Sequence, residues 1–233
     1  MLLSQQIQTE AQPLLKANEE HPFVQGIING SLTKEQLAYY DQQDISFEYN
    51  EVAVLNALIT YSTTTAQTKL FEKRLHMQLT MLEDWLAREA DYDIPHSWQG
   101  LKQAPIQPIN QMYQQHMAAT INTHSVLQIL PSFAAGEWVY IELGKYMRTQ
   151  DRVTTEPFSS FLALGNKDFL GPNGYIQQFF NIIDDEAKGA SEREQQTAKQ
   201  TFLKSCILEW YFWESAYQRS TWNDWQETAL SNN

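Results

Sequence analysis

The sequence predicts an all-α protein, a helical bundle folded as a single domain over residues 1–233. Glycine and proline are scarce, nine and eight in the whole chain, and they fall between long segments rather than inside them. Those segments repeat apolar residues at helical spacing. There is no internal repeat, low-complexity tract or shift in composition that would mark a linker. With 42% hydrophobic and 12% aromatic residues the chain can build a large core, and a single domain of this size buries about 70% of its unfolded surface.

The first helix is expected from Ser4 to Asn18 and a short one from Pro22 to Ile28, where proline suits an opening position. Asn29-Gly30-Ser31 then breaks the chain. Thr33 stands three residues before Gln36, the spacing of a capping box, and opens a helix that reaches Tyr61. A further helix fits Thr65 to Glu89. Asp91 to Pro108 holds Pro95, Gly100, Pro105 and Pro108 and reads as mostly loop. Helix resumes over Ile109 to Asn122 and His124 to Thr149, with a kink expected at Pro131. Phe158 to Leu164, Tyr175 to Lys188 and a long final helix from Glu192 to about Leu230 complete the set.

Sixteen basic against 28 acidic residues give a net charge of -12. No stripe of Lys and Arg is present to track a phosphate backbone, which argues against a nucleic-acid partner. The N-terminus lacks the basic start and apolar run of a signal peptide, and no segment approaches the roughly 20 apolar residues of a membrane span. A single cysteine cannot form an internal disulfide, so a reducing, cytoplasmic setting is expected.

That cysteine is also the first candidate for chemistry. Cys206 precedes Glu209 by three residues in a run rich in aromatics, so thiol and carboxylate share a helix face and should meet against Trp210, Phe212, Trp213 and Tyr217. A carboxylate in so apolar a stretch must be paired, hydrogen-bonded or protonated. The alternative for Cys206 is packing as a small hydrophobe. On the helix opened by Thr33, an apolar stripe through Leu37, Tyr40, Phe47, Leu55 and Leu58 includes two acids, Asp44 and Glu51. Acids on a core face point either to a buried ion pair or, with Glu209, to a shared cavity. Tyr113 and Tyr140 on intervening helices are placed to line it. Glu72 and His76 share a face, but the chain has no Glu-x-x-His, so neither a di-iron site nor any other metal or cofactor is expected. His21, His96, His116 and His124 fall near predicted termini or loops and suit capping or surface roles. No Gly-x-Ser-x-Gly, P-loop or dinucleotide fingerprint is present.

Several of these segments recur together elsewhere. His21-Pro-Phe-Val-Gln-Gly-Ile27, Tyr39-Tyr40 with Gln43-Asp44, Tyr113-Gln-Gln-His-Met117, Trp138-Val-Tyr140 with Glu142-Leu-Gly144, and Glu209 with Phe212-Trp213 and Ala216-Tyr217 resemble, in order, the TenA/thiaminase II family of aminopyrimidine aminohydrolases in thiamin salvage. The resemblance implies a haem-oxygenase-like helical fold, a homo-oligomer (commonly a tetramer), and a pocket for thiamin or a related aminopyrimidine. It assigns Asp44 to the ring nitrogen and exocyclic amine, Phe47, Tyr113, Tyr140 and Phe212 to the pocket walls, and Glu209 to proton transfer.

The family's attacking cysteine has no counterpart in this chain. Aligning Trp138, Tyr140, Glu142 and Gly144 puts Gly136 at its position, whereas aligning Pro131 with the family's proline puts Ser132 there. Replacement nucleophiles to consider are therefore Ser132, Glu137, which some relatives' glutamate suggests but which is turned about 100° from the gap, and Cys206. Leu164 stands where many members carry a pocket tyrosine. A hydrolase releasing hydroxymethylpyrimidine is the leading expectation, and a non-catalytic aminopyrimidine-binding or regulatory protein of the same fold the alternative.

Overall fold

A computed structural model describes residues 1–87, 95–150 and 171–231. Ten helices occur among them: α1 Leu3–Glu19, α2 Pro22–Asn29, α3 Lys34–Tyr61, α4 Thr65–Leu86, α5 Trp98–Gln103, α6 Pro108–Ile121, α7 Val126–Arg148, α8 Tyr175–Ala187, α9 Glu192–Gln218 and α10 Trp222–Ser231. The all-α expectation holds. The helix expected over Phe158 to Leu164 lies outside the described residues, as does Leu164.

Local chemistry explains most of the boundaries. Thr33 and Gln36 form the expected capping box, with Gln36 N–H donating to Thr33 Oγ1 at 3.2 Å and Thr33 N–H to Gln36 Oε1 at 3.0 Å. Pro22 opens α2 behind His21, whose Nδ1 accepts from Phe23 N–H at 3.1 Å. His21 is thus a capping residue, as expected, but a buried one. Because Nδ1 accepts, Nε2 carries the proton and donates to Glu214 at 3.2 Å. The N-terminus of α1 is capped from a distance: Asp184 on α8 accepts from the backbone and hydroxyl of Ser4.

The mostly looped stretch before α6 includes one short helix, α5, started by Ser97, whose Oγ accepts from Gly100 N–H. Two expectations need correction. The long final helix is two helices. Arg219 adopts a left-handed conformation with φ 55°, and Ser220 N–H closes back on Ser215 carbonyl oxygen at 2.9 Å, ending α9. Thr221 and Asp224 then cap α10 reciprocally. His116 sits within α6 rather than near an end, with Nε2 against Ser205 Oγ at 3.1 Å. Burial pushes its pKa down to about 4. Helix α7 starts at Val126, after His124 in a left-handed turn, and runs on through Pro131.

The main core joins α1, α2, α3, α4, α6, α7, α8 and α9 around Phe23, Leu58, Phe133, Phe179, Phe202 and Trp213. A smaller cluster of Ile45, Leu82, Trp85 and Leu101 ties α3 to α4 and α5. Asn18 fixes α9 against α1. Fully buried, it donates to Cys206 carbonyl oxygen at 3.2 Å and accepts from Trp213 Nε1 at 2.9 Å. The two contacts lie two turns apart on α9, with Glu209 between them. No helix among the described residues is long and apolar enough to cross a membrane.

Asn18→Ala would remove both the acceptor of the Trp213 indole N–H and the donor to the Cys206 carbonyl oxygen, a loss of about 1–3 kcal/mol. Urea denaturation is expected to show that loss. A change within about 0.5 kcal/mol would mean that the α1–α9 contact does not depend on Asn18.

Candidate active site

Helix α3 carries Asp44, Phe47, Glu48 and Glu51 at helical spacing, so all four point the same way. They face Arg74 on α4, Tyr113 on α6, Gly136, Glu137 and Tyr140 on α7, and Glu209 and Phe212 on α9. Together these side chains line a cavity of about 90 Å³, enough for several waters. Its wall has two distinct halves.

One half is aromatic. Phe47 packs on Tyr113 with ring centres 4.6 Å apart and on Phe212 at 5.8 Å. The Tyr113 hydroxyl donates to Glu209 Oε1 at 2.7 Å. Tyr40 and Tyr140 share a hydrogen bond of 3.0 Å between their hydroxyls, and Asp44 accepts from Tyr40. Burial pushes the Glu209 carboxyl up to about 8; the Tyr113 hydrogen bond opposes the rise and the charge of Glu48 adds to it. Burial, and then the charge of Glu48, raises Asp44 well above the usual carboxylate range.

The other half is ionic. Arg74 Nε donates to Glu137 Oε1 at 2.8 Å, its Nη2 reaches the same oxygen, and its Nη1 donates to Gln78 at 2.6 Å. Gln78 in turn donates to the carbonyl oxygen of Glu48 at 2.8 Å and to its carboxylate. Glu51 is hydrogen-bonded to Glu48. Two carboxylates cannot share a hydrogen bond without a proton, and burial followed by the charge of Glu48 makes Glu51 its holder, raising its pKa well above the ordinary range. Arg74 also lies over the Phe133 ring at 5.3 Å.

Of the residues singled out in the sequence, Asp44, Phe47, Tyr113, Tyr140, Glu209, Phe212 and Glu137 all line this cavity. Glu51 does as well. Glu137 is not turned away from it, because Arg74 draws the carboxylate inward from the next helical position.

Ser132 and Cys206 are not among the lining residues. Ser132 is fully buried, donating to Ile129 carbonyl oxygen at 2.8 Å and lying 3.2 Å from Thr120 Oγ1. Cys206 is also fully buried, and burial together with the charge of Glu209 holds its thiol far above the pH at which a thiolate forms. Trp210 turns to His21, edge-on at 4.9 Å, and Tyr217 is exposed, so neither completes the expected aromatic wall around Glu209.

Gly136 is the position that faces the cavity. A Cβ there would stand 2.9 Å from Glu209 Oε1 and 3.7 Å from the Tyr113 hydroxyl. The carboxyl of Glu209 fills the space that a side chain at 136 would need. Two residues that sequence reasoning missed are Glu48 and Arg74. Glu48 lies one turn beyond Asp44, a signal that was present; Arg74 gave no signal without its partners. Among the described residues no three His, Cys, Asp or Glu side chains converge as a metal site.

Comparison with known proteins identifies the family and the fold. Residues 8–219 match the model of the TENA/THI-4/PQQC family. The chain belongs to that family. It is 28% identical over 217 residues to an aminopyrimidine aminohydrolase of Halalkalibacterium halodurans, covering 92% of this chain and 95% of the relative. It is 24% identical over 226 residues to the aminopyrimidine aminohydrolase of Bacillus subtilis, covering 96% and 93%. Among solved structures, a TenA homologue from P. horikoshii OT3 superposes with a TM-score of 0.79 at 16% identity, covering 94% of this chain and all of that one. A TenA homologue from Pyrococcus furiosus gives 0.77 at 17% identity, covering 93% and 100%. The fold is the TenA fold.

The proton on Glu209 makes stability depend on pH. Its carboxyl titrates near 4.5 when unfolded and near 8 when folded, so the folded protein binds the extra proton between those values. That contribution is complete below pH 4.5 and is lost as pH rises through about 8. Asp44, Glu48 and Glu51 shift in the same direction. Wild type is expected to lose stability to urea between about pH 5 and 9, and Glu209→Gln to lose less. The gap should be on the order of a few kcal/mol at the alkaline end. Parallel pH curves for the two proteins would show that Glu209 ionises freely.

Proposed function

We propose that this chain is a thiaminase II-like hydrolase. It takes thiamin or a thiamin-derived aminopyrimidine and cleaves the C–N bond at the pyrimidine methylene, releasing hydroxymethylpyrimidine for thiamin salvage. One observation carries the reading: Asp44, Phe47, Tyr113, Tyr140, Glu209 and Phe212, drawn from four helices, line one cavity. The names of the curated relatives support it. A flat, weakly basic ring needs aromatic faces to stack on and carboxyls that can share its proton, and the cavity offers both.

In this reading Asp44 holds the ring nitrogen and exocyclic amine, and Phe47, Tyr113, Tyr140 and Phe212 form the walls. Glu209 is the proton carrier. Its ionised form takes a proton from water as the water oxygen bonds to the methylene carbon and the C–N bond breaks, the electron pair leaving with the nitrogen. No enzyme thiol takes part, because Gly136 offers none and Cys206 is buried and protonated. The reading includes a single domain over residues 1–233, a cytoplasmic location and a homo-oligomer, of which a tetramer is the specific form. Helix α10 buries no side chain and exposes Trp222, Trp225 and Leu230, which supports association between copies.

The test is release of hydroxymethylpyrimidine from thiamin and from the aminomethylpyrimidine. Glu209→Gln should lower kcat by about 10²–10⁴-fold, whereas Cys206→Ala and Ser132→Ala should stay within about threefold of wild type. For wild type, kcat/KM should rise with pH and level off above about 8 as Glu209 ionises. Tight binding of either compound without turnover would overturn the hydrolase reading. A large loss in Cys206→Ala would restore the thiol as nucleophile.

A further inference from the structure

The proposed reaction uses Asp44 of the Gln43-Asp44 pair and leaves Gln43 without a role. Gln43 is buried but does not line the cavity. Its Oε1 accepts from Gln107 N–H at 2.9 Å and from Asn110 Nδ2 at 3.1 Å, and its Nε2 donates to Pro105 carbonyl oxygen at 3.1 Å. Asn110, buried as well, also donates to the Gln43 carbonyl oxygen at 2.8 Å. The Asn110 amide is itself oriented, because its Oδ1 accepts from Gln114 at 3.0 Å. Four hydrogen bonds therefore clamp one residue of α3 to the first turn of α6 and the chain just before it. Both sides of the clamp lead to the cavity. Asp44 follows Gln43, and Phe47 lies one turn on. Tyr113 stands three residues after Asn110, packs on Phe47 and donates to Glu209 at 2.7 Å. An α-helix rises about 1.5 Å per residue, so even that much sliding of α6 would lengthen or misalign the Tyr113–Glu209 bond.

Resting on the reading of Glu209 as proton carrier, we propose that Gln43 and Asn110 are positioning residues that hold Tyr113 at the height its hydrogen bond to Glu209 requires, without touching the substrate. His116 ties the next turn of α6 to Ser205 on α9, so Tyr113 is set between one attachment to α3 and one to α9. The consequence for Glu209 is specific. Tyr113 donates to the ionised carboxylate and so opposes the rise in pKa that burial imposes. Loosening the clamp displaces Tyr113, lets the Glu209 pKa climb, and moves the rise of kcat/KM to higher pH. The other groups that act on Glu209 are Asp44 and Glu48 on α3, Tyr140 on α7 and Cys206 on its own helix. None of these is carried by α6. On α6 itself His116 is uncharged over the range in question, since burial pushes its pKa down to about 4. A change in the titration of Glu209 that follows release of α6 therefore comes through Tyr113.

The test is a double-mutant cycle read on the titration of Glu209. Gln43→Met keeps the side-chain volume without the amide, and Asn110→Ala releases the same clamp from α6. Each is expected to move the midpoint of the kcat/KM rise up by about half a pH unit, and Tyr113→Phe by about one. Adding Gln43→Met to Tyr113→Phe should move it no further, because the bond through which Gln43 acts is already gone. The same titration is followed without turnover by infrared absorption of the protonated carboxyl, assigned by its loss in Glu209→Gln. If wild type releases no hydroxymethylpyrimidine while the infrared midpoints follow this pattern, the hydrolase reading falls and the clamp stands. A midpoint that stays put in both Gln43→Met and Asn110→Ala overturns the clamp. So does a shift by Gln43→Met that is equally large with and without the Tyr113 hydroxyl. A lowered melting temperature with an unmoved midpoint would also overturn it, as the mark of packing alone.

Discussion

Five carboxyl groups and one guanidinium share the wall of a single cavity. Two like charges about 4 Å apart repel by about 4 kcal/mol at an effective dielectric of about 20, and a buried charge without partners costs more still. The site can therefore exist only if protons and donors are distributed so that no two neighbouring acids are bare together. Tyr40 serves Asp44, Tyr113 serves Glu209, Arg74 and Gln78 serve Glu137 and Glu48, and a retained proton serves Glu51. The hydroxyls of the aromatic wall and the amide of Gln78 are thus electrostatic necessities before they are anything else.

Long helices make that distribution possible. Helix α3 presents its acids one turn apart, α7 supplies Gly136, Glu137 and Tyr140 within five residues, and α9 is held by Asn18 on either side of Glu209. A carboxyl that must stay within hydrogen-bond distance of Tyr113 tolerates little sliding of its helix. The buried stacks of Phe23, Tyr40 and Trp213 beside it resist the same motion.

Much of this was legible in the chain. Sparse glycine and proline, the Thr33–Gln36 box and acids interrupting an apolar stripe led to the helices and to Asp44, Glu51 and Glu209. The break at Arg219 was hidden because apolar periodicity carries on across it, and only the Thr221–Asp224 cap marks it. Asn18 and Arg74 were invisible for a different reason. Their meaning comes from partners more than 180 and 60 residues away, a separation that no local pattern encodes. The resemblance to known sequences supplied the choice of pocket aromatics, which spacing alone leaves undistinguished from core.

The close approach of Glu209 to Gly136 bears on how such a site can change over generations. The Cβ of any side chain arriving at 136 would stand 2.9 Å from Glu209 Oε1. That oxygen is the far end of a flexible side chain, so the carboxyl could turn aside, but the turn would act on the atom that accepts the Tyr113 hydrogen bond. A side chain at 136 and the present placement of the Glu209 proton therefore compete for one space.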